Sequence, residues 1–164
     1  MAKAHTKPKH KIKVKPLHPR FTKEVSVMAW IEDPDHRVLF VRQAAGMRLW
    51  TLPGGKVKRG ESLLKATRRE VSEEVGVRIQ IGSLLGALDR HDKDAITLLF
   101  AAVLEQRSHK LKSGRREIKK AAFQSALPKK SSPSARYFWS VRRGLVGKQK
   151  TPEVPASTYQ LPEG

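Results

Sequence analysis

The chain contains no cysteine, and this absence excludes several kinds of chemistry. Disulfide bridges, zinc sites built on thiolates and catalysis by a thiol nucleophile all need that residue. No apolar run in the sequence approaches the roughly 20 residues that span a bilayer. The basic N-terminal segment is not followed by the apolar stretch of a secretory signal. We therefore expect a cytoplasmic protein that does not insert into a membrane.

Acidic residues are scarce, and the shortage is uneven along the chain. The sequence holds 34 Lys and Arg against 15 Asp and Glu, a formal net charge of +19. Residues 1–20 hold seven basic side chains and no acid, and residues 107–150 hold 14 basic side chains and one acid, Glu117. Residues 21–106 are nearly balanced. This distribution predicts a polyanionic partner, with nucleic acid binding through the N-terminal arm and residues 107–150. The alternative is a charged surface that only keeps the protein in solution.

Composition divides the chain into three parts. Residues 1–20 alternate lysine with proline and histidine and have little apolar content, so we predict a disordered arm. Residues 21–147 carry the apolar patterns of one folded domain. Residues 148–164, rich in proline, are predicted to form a C-terminal tail. The oligomeric state stays open between a monomer and a homodimer.

The apolar pattern predicts an α/β domain. Two alternating runs, 23–33 and 37–43, predict a hairpin with its turn at 33–36. A short strand at 49–52 runs into Pro53-Gly54-Gly55, which we predict to be a loop. The clearest helix covers 62–75, and its core stripe is predicted to be Leu64, Thr67, Val71 and Val75. Further strands are predicted at 78–88, 95–105 and 117–123, and a last helix at about 133–145.

Glu70, Glu73 and Glu74 stand at spacings that place three carboxylates on one side of the predicted helix. Like charges so placed repel by about 0.2–0.5 kcal/mol per pair, so stability alone does not favour them. Hard divalent cations would turn this repulsion into coordination. Carboxylates without cysteine indicate Mg²⁺ or Mn²⁺ rather than Zn²⁺.

The whole stretch 55–77 resembles the Nudix box, the signature of the Nudix hydrolases (MutT-like proteins). The positions that match are Gly55, Glu61, Arg69, Glu70, Val71, Glu73, Glu74, Gly76 and Val77. The resemblance implies an α/β/α sandwich with a mixed, partly antiparallel sheet over about residues 23–145. It also implies metal-dependent hydrolysis of a pyrophosphate bond in a nucleoside diphosphate linked to another group.

The resemblance further implies a role for each matching position. Glu70, Glu73 and Glu74 would bind the metal together with the carbonyl group of Gly55. Arg69 would fix the carboxylates or the loop, and Glu61 would support the geometry of that loop, with a weaker role in metal binding.

For the general base and the substrate contacts, the sequence leaves more than one interpretation open. Glu117 is similar to a glutamate on a later loop that serves as the base in some Nudix hydrolases, and Glu70 is the competing candidate. A salt bridge to neighbouring basic residues is the alternative for Glu117. Arg42 and Arg48 are candidate phosphate contacts, and Trp50 a candidate stacking residue. Solvated charge and packing against the sheet are the alternatives for these three.

No substrate signature of a particular Nudix type is present outside the box. We expect a nucleoside triphosphate or a related nucleotide. The competing hypotheses are an enzyme that acts on the 5′ end of RNA and a non-catalytic Nudix-fold module that binds a nucleotide or nucleic acid.

Overall fold

A computed structural model describes residues 22–105, 111 and 117–144. Within these residues the chain forms seven strands, two α-helices and one 3₁₀ turn. In chain order they are β1 (Glu24–Ile31), β2 (Val38–Gln43), β3 (Trp50–Thr51), β4 (Gly54–Lys56), α1 (Leu63–Val75), β5 (Ile79–Arg90), the 3₁₀ turn (His91–Lys93), β6 (Ala95–Leu104), β7 (Ile118–Gln124) and α2 (Pro133–Arg142). The predicted arm, the predicted tail and most of the basic stretch between β6 and β7 lie outside the described residues.

The strands form two sheets between the helices. A four-stranded sheet has the order β4-β1-β6-β5, with β1 and β6 parallel and the other pairs antiparallel. A three-stranded antiparallel sheet has the order β3-β2-β7. Successive residues of β1 point to opposite faces, so Ala29 packs with Val71 of α1, and Trp30 packs with Phe138 of α2. The predicted α/β/α sandwich is confirmed, although its strands are divided between two sheets.

The predicted hairpin of β1 and β2 is wrong, because these strands belong to different sheets. The turn at 33–36 forms as expected, but Glu32 and Val38 make only an isolated bridge. One edge of β1 pairs with β6 along its full length, and the other pairs with β4 at Ser26–Met28. Since a strand has two edges, β1 has no complete edge left for β2.

The predicted loop at Pro53-Gly54-Gly55 is also wrong at both glycines, which belong to β4. Gly54 has φ +152° and lies so close to β1 that an added Cβ would clash with the carbonyl oxygen of Val27 and come within 2.7 Å of Met28 Cα. Glycine is therefore needed here for close backbone approach rather than for a turn. Apolar alternation could not reveal this strand, because glycine has no side chain.

Helix α1 agrees with its prediction in extent and caps. The Ser62 hydroxyl accepts a hydrogen bond from the Lys65 backbone N–H, and Gly76 ends the helix at φ +72°. Thr67, Val71 and Val75 are buried as expected, but Leu64 is 41% exposed and does not belong to the core. Ala66 is buried in its place, against Val27 and Phe100.

Helix α2 begins at Pro133, as predicted, with Ser132 as its N-cap, and ends at Arg142 rather than near residue 145. No helix in the described part of the chain is long and apolar enough to cross a membrane.

Candidate active site

The carboxylates of α1 lie beside the backbone of β4, the edge strand of the four-stranded sheet. Strand β4 runs antiparallel to β1, with Gly55 opposite Val27 and Gly54 opposite Met28. A Cβ atom built on Gly55 would lie 2.6 Å from Cδ of Glu70 and 2.7 Å from its Oε1. Any side chain at position 55 would thus displace the Glu70 carboxylate, so the position that Glu70 contacts in β4 must be glycine.

Arg69 lies at the centre of a network of carboxylates. Its Nε and Nη2 donate to the two carboxylate oxygens of Glu61, each at 2.9 Å, and its Nη1 donates to Glu70 Oε1 at 2.6 Å. The same Nη1 is 3.5 Å from Glu73 Oε2, and Nη2 donates to the Lys56 carbonyl at 3.0 Å. This planar guanidinium therefore ties the loop before α1 to the helix, as a bidentate donor can.

Protonation of Glu61 is strongly disfavoured by that network. The hydrogen bonds from Arg69 are the largest cause, and the backbone N–H of Lys58 adds to them, so the pKa of Glu61 falls to about 2. The same bonds, first those to Glu61, raise the pKa of Arg69 above its ordinary range. Glu61 thus remains an anion at any pH at which the protein would work, and its partner is Arg69.

Glu74 has the opposite electrostatic environment. Its Oε2 accepts a hydrogen bond from the Gly54 backbone N–H at 2.9 Å. Burial raises the pKa of Glu74 to about 8, and the nearby carboxylates of Glu70, Glu117 and Glu73 contribute, while the Gly54 N–H opposes the shift. None of the ion pairs within the described residues includes Glu74. It is a carboxylate that lacks positive charge around it.

A cavity of about 380 Å³ brings Glu74 and Glu117 together. Glu117 comes directly before β7, and its carbonyl accepts a hydrogen bond from the backbone N–H of Ala44. It makes no ion pair with Lys119 or Lys120. The other residues lining the cavity are Met28, Gln43, Ala45, Thr51, Gly54 and Ile118.

Sequence reasoning missed most of these lining residues because they lie on strands whose pairing it did not predict. The Pro-Gly-Gly sequence was the available signal for Gly54, whose N–H reaches Glu74.

Two further cavities, of about 360 and 480 Å³, lie beside Trp30 and Arg37 and include no residue of the stretch 55–77. Of these three cavities, the carboxylate cavity is the one lined by a residue of that stretch, Glu74.

The predicted substrate residues do not line this cavity. Trp50 precedes the lining residue Thr51 and packs against the apolar cluster under α2. Arg42 precedes the lining residue Gln43, and its Nε is 3.4 Å from the carbonyl oxygen of Arg48. Arg42 and Trp50 are thus sequence neighbours of lining residues, Arg48 lies between them, and the contacts of all three with a substrate remain predictions.

The carboxylates fit a hard divalent cation by chemistry, although their present grouping is not a finished ligand set. Among the residues that the structure describes, no three Asp, Glu, His or Cys side chains are close enough together to hold a metal ion as they stand. Arg69 pairs with Glu70 and Glu73, whereas Glu74 has no ion pair within the described residues, and the charges of nearby carboxylates add to its raised pKa. Oxygen donors of this kind suit Mg²⁺ or Mn²⁺, and a bound cation would favour the charged form of Glu74 and so lower its raised pKa.

A comparison with protein-family models matches the NUDIX domain over residues 22–140. This match covers most of the chain and contains α1 with its carboxylates, Glu117 and most of α2. The chain belongs to the NUDIX domain family.

Individual relatives of this NUDIX protein are distant. It is 33% identical over 85 residues to a MutT-like protein of Streptomyces ambofaciens, covering 52% of this chain and 51% of that protein. It is 33% identical over 104 residues to an ADP-ribose pyrophosphatase of Methanocaldococcus jannaschii, covering 60% of this chain and 57% of the relative. The chain thus spans about half the length of the curated relatives it matches.

The solved structures agree on the fold. A crystal structure of an ADP-ribose pyrophosphatase from Streptococcus suis superposes with a TM-score of 0.62 at 22% identity, covering 77% of this chain and 95% of that one. At this identity the similarity establishes the shared fold, and the activity must be argued from the site.

Proposed function

We propose that this NUDIX protein hydrolyses a pyrophosphate bond in a nucleoside diphosphate linked to another group, and that it needs Mg²⁺ or Mn²⁺. The observation that carries the proposal is Glu74, a carboxylate with a pKa of about 8 in a cavity that it shares with Glu117. A carboxyl group with a perturbed pKa in a cavity is typical of catalytic sites. The membership of the family supports the same reaction class.

The residues that would hold the metal are Glu70, Glu73, Glu74 and the carbonyl group of Gly55. When bound, a divalent cation neutralises phosphate charge and lowers the pKa of water. Arg69 would keep Glu70 beside Gly55 through its 2.6 Å hydrogen bond, and Glu61 would anchor Arg69 in turn. Gly54 would hold Glu74 in place by its backbone N–H.

Glu117 is the better candidate for the general base than Glu70. One oxygen of Glu70 already accepts the Arg69 hydrogen bond and lies against Gly55, which leaves it less free to take a proton from water. Glu117 lines the cavity, is exposed, and has no ion pair within the described residues. A general base must reach its proton donor within hydrogen-bond distance, and a side chain at the mouth of the cavity meets that need.

The substrate class follows from the family and from the charge of the chain. Relatives whose names specify ADP-ribose pyrophosphatase activity favour nucleoside diphosphate derivatives. The leading candidate is a nucleoside triphosphate or a related nucleotide, and the 5′ end of RNA is the second candidate because of the excess of basic residues. A cytoplasmic location stays a prediction from the sequence.

A hydrolysis screen tests the proposal. Nucleoside triphosphates, ADP-ribose, dinucleotides and 5′-triphosphate RNA would be incubated with the protein in Mg²⁺, Mn²⁺ or EDTA, and the products resolved by chromatography. We expect metal-dependent cleavage of a pyrophosphate bond in at least one substrate. Glu73→Gln and Glu74→Gln should both lower the rate. Wild-type rates in both variants would overturn the metal assignment, and no cleavage of any substrate would favour a binding module.

A further inference from the structure

Several basic residues lie near Trp50 along the backbone, on the sheet that borders the carboxylate cavity. Strand β2 places Arg42 directly opposite Trp50 of β3 on one side and Lys120 of β7 on the other. Strands pair about 5 Å apart, so these three residues form one short row across the sheet. Their side chains share a face, because residues opposite each other in a ladder point the same way.

Hydrogen bonds to main-chain carbonyl groups bring further basic residues next to this row. The Trp50 N–H donates to the Lys130 carbonyl at 2.7 Å, and the Arg48 carbonyl lies 3.4 Å from Arg42 Nε. Arg136 of α2 donates to the Lys129 carbonyl at 3.0 Å. We call the resulting set the Trp50 patch; it consists of Trp50, Arg42, Arg48, Lys120, Lys129, Lys130 and Arg136.

The charges of the Trp50 patch have no counter-charges among the residues that the structure describes. None of its six cations takes part in an ion pair there, as is also true of other exposed cations such as Lys65 and Lys93. Like charges held close together repel, so the patch gains most from a ligand that brings several negative charges at once.

The patch and the carboxylate cavity lie on different faces of the three-stranded sheet. Val41 packs with the α1 side of the core, and Phe40 packs with the α2 side, so Arg42 follows Phe40 in facing α2. Trp50 likewise packs on the α2 side, while its neighbour Thr51 lines the cavity. The row of Arg42, Trp50 and Lys120 therefore faces away from the residues that line the carboxylate cavity.

We propose that the Trp50 patch binds single-stranded nucleic acid, with the Trp50 ring stacking on a base and the flanking cations contacting phosphates. A half-buried aromatic residue with basic residues on the paired strands and the adjoining loop fits the combination that single-strand binders use. The ring is held in position by the apolar cluster around Phe138, so that stacking would need little reordering. This binding does not depend on the proposed hydrolysis, and it can be measured without metal.

The test uses the full chain and a labelled 12-nucleotide RNA that lacks a 5′ phosphate, titrated by fluorescence anisotropy in EDTA at several salt concentrations. The double variant Lys120→Gln/Lys130→Gln is compared with a matched control, Lys65→Gln/Lys93→Gln. All four lysines are exposed and absent from ion pairs of the described residues, and both variants lose the same charge. Each lost phosphate contact should reduce the slope of log affinity against log salt by about 0.7.

We expect the patch variant to bind RNA roughly tenfold or more weakly, with the reduced salt slope, and the control to bind like the wild type. Equal losses in both variants would mean that only net charge matters, and would overturn the proposal. Stronger competition by vesicles containing phosphatidylserine than by unlabelled RNA would identify a membrane-binding surface instead, and would also overturn it.

The contribution of the ring is tested separately. Trp50→Leu should weaken RNA binding by roughly tenfold, whereas Trp50→Phe, which keeps an aromatic face, should retain most of the affinity. An oligonucleotide with abasic sites supplies the phosphates without the bases, and should bind the wild type and the leucine variant equally. If the leucine variant binds intact RNA as the wild type does, Trp50 is not a stacking residue.

Discussion

Replacing Glu74 by glutamine should make the metal-free protein more stable at alkaline pH, and the difference should disappear in acid. The carboxyl group has a pKa of about 8 in the folded chain, against an ordinary value of 4.5. Below pH 4.5 the Glu74 carboxyl group is protonated in both the folded and the unfolded chain, so it does not lower the free energy of unfolding there. Between these two values the folded chain holds a proton that the unfolded chain has released, so the free energy of unfolding falls as pH rises.

The size of this effect follows from the two pKa values. Each pH unit between them is worth about 1.4 kcal/mol, so the full penalty above pH 8 is up to about 4–5 kcal/mol. Glutamine removes the charge and keeps an oxygen that can accept the Gly54 N–H. We therefore expect the free energy of unfolding of Glu74→Gln to be several kcal/mol higher than that of the wild type at pH 9. Near pH 4 the two values should be equal.

Urea denaturation in EDTA, followed by tryptophan fluorescence from pH 4 to 9, measures this difference. Glu73→Gln is the comparison, since its side chain is 53% exposed and its charge is a lesser cause of the raised Glu74 pKa than burial. It should therefore give only a small part of the gain in unfolding free energy at pH 9. A constant difference between Glu74→Gln and the wild type across the pH range would refute the electrostatic argument. Mg²⁺ added at pH 9 should stabilise the wild type and leave the glutamine variant nearly unchanged.

Three other substitutions probe the base, the close strand contact and the core. Glu117→Gln should lower kcat by about 10²–10⁴-fold, the range for loss of a general base, while Mn²⁺ binding measured by calorimetry stays within a few-fold of the wild type. Gly54→Ala should destabilise by roughly 2–4 kcal/mol in urea denaturation, because its Cβ would overlap the Val27 carbonyl group. Gly60→Ala is its control, since φ is also positive there but no atom lies within 4 Å of the added Cβ, and about 1 kcal/mol is expected. Phe138→Ala should cost about 3–5 kcal/mol, because its fully buried ring leaves a cavity under α2.

The fold could be predicted from the sequence wherever a pattern was local. The caps of α1 and α2 depend on Ser62, Gly76 and Ser132, whose side-chain or backbone chemistry acts within one turn of the helix. Strand pairing is not local. β1 and β2 follow each other through a turn of the expected kind, yet β1 pairs instead with β6, some seventy residues further along the chain. Alternation identifies a strand but not its neighbours.

The candidate site shows the same division. Spacing along one helix correctly predicted that Glu70, Glu73 and Glu74 would lie on one side of α1. The spacing could not predict that the three glutamates have different environments. Those environments depend on Gly54 and Gly55 of β4 and on Glu117, which precedes β7. The separation of Arg42 and Trp50 from the cavity also depends on the face of the sheet, which only the register defines.

The position of Arg69 changes the physical argument for a metal at this site. Clustered carboxylates were expected to need a cation because they repel one another, but Arg69 already supplies positive charge to Glu61, Glu70 and Glu73. Glu74 receives none, and burial makes its charged form costly. The demand for a cation is thus concentrated at Glu74 and the cavity it shares with Glu117, rather than spread over the motif. A metal should therefore bind more tightly as pH rises toward 8, since it must displace the proton that Glu74 holds below that value.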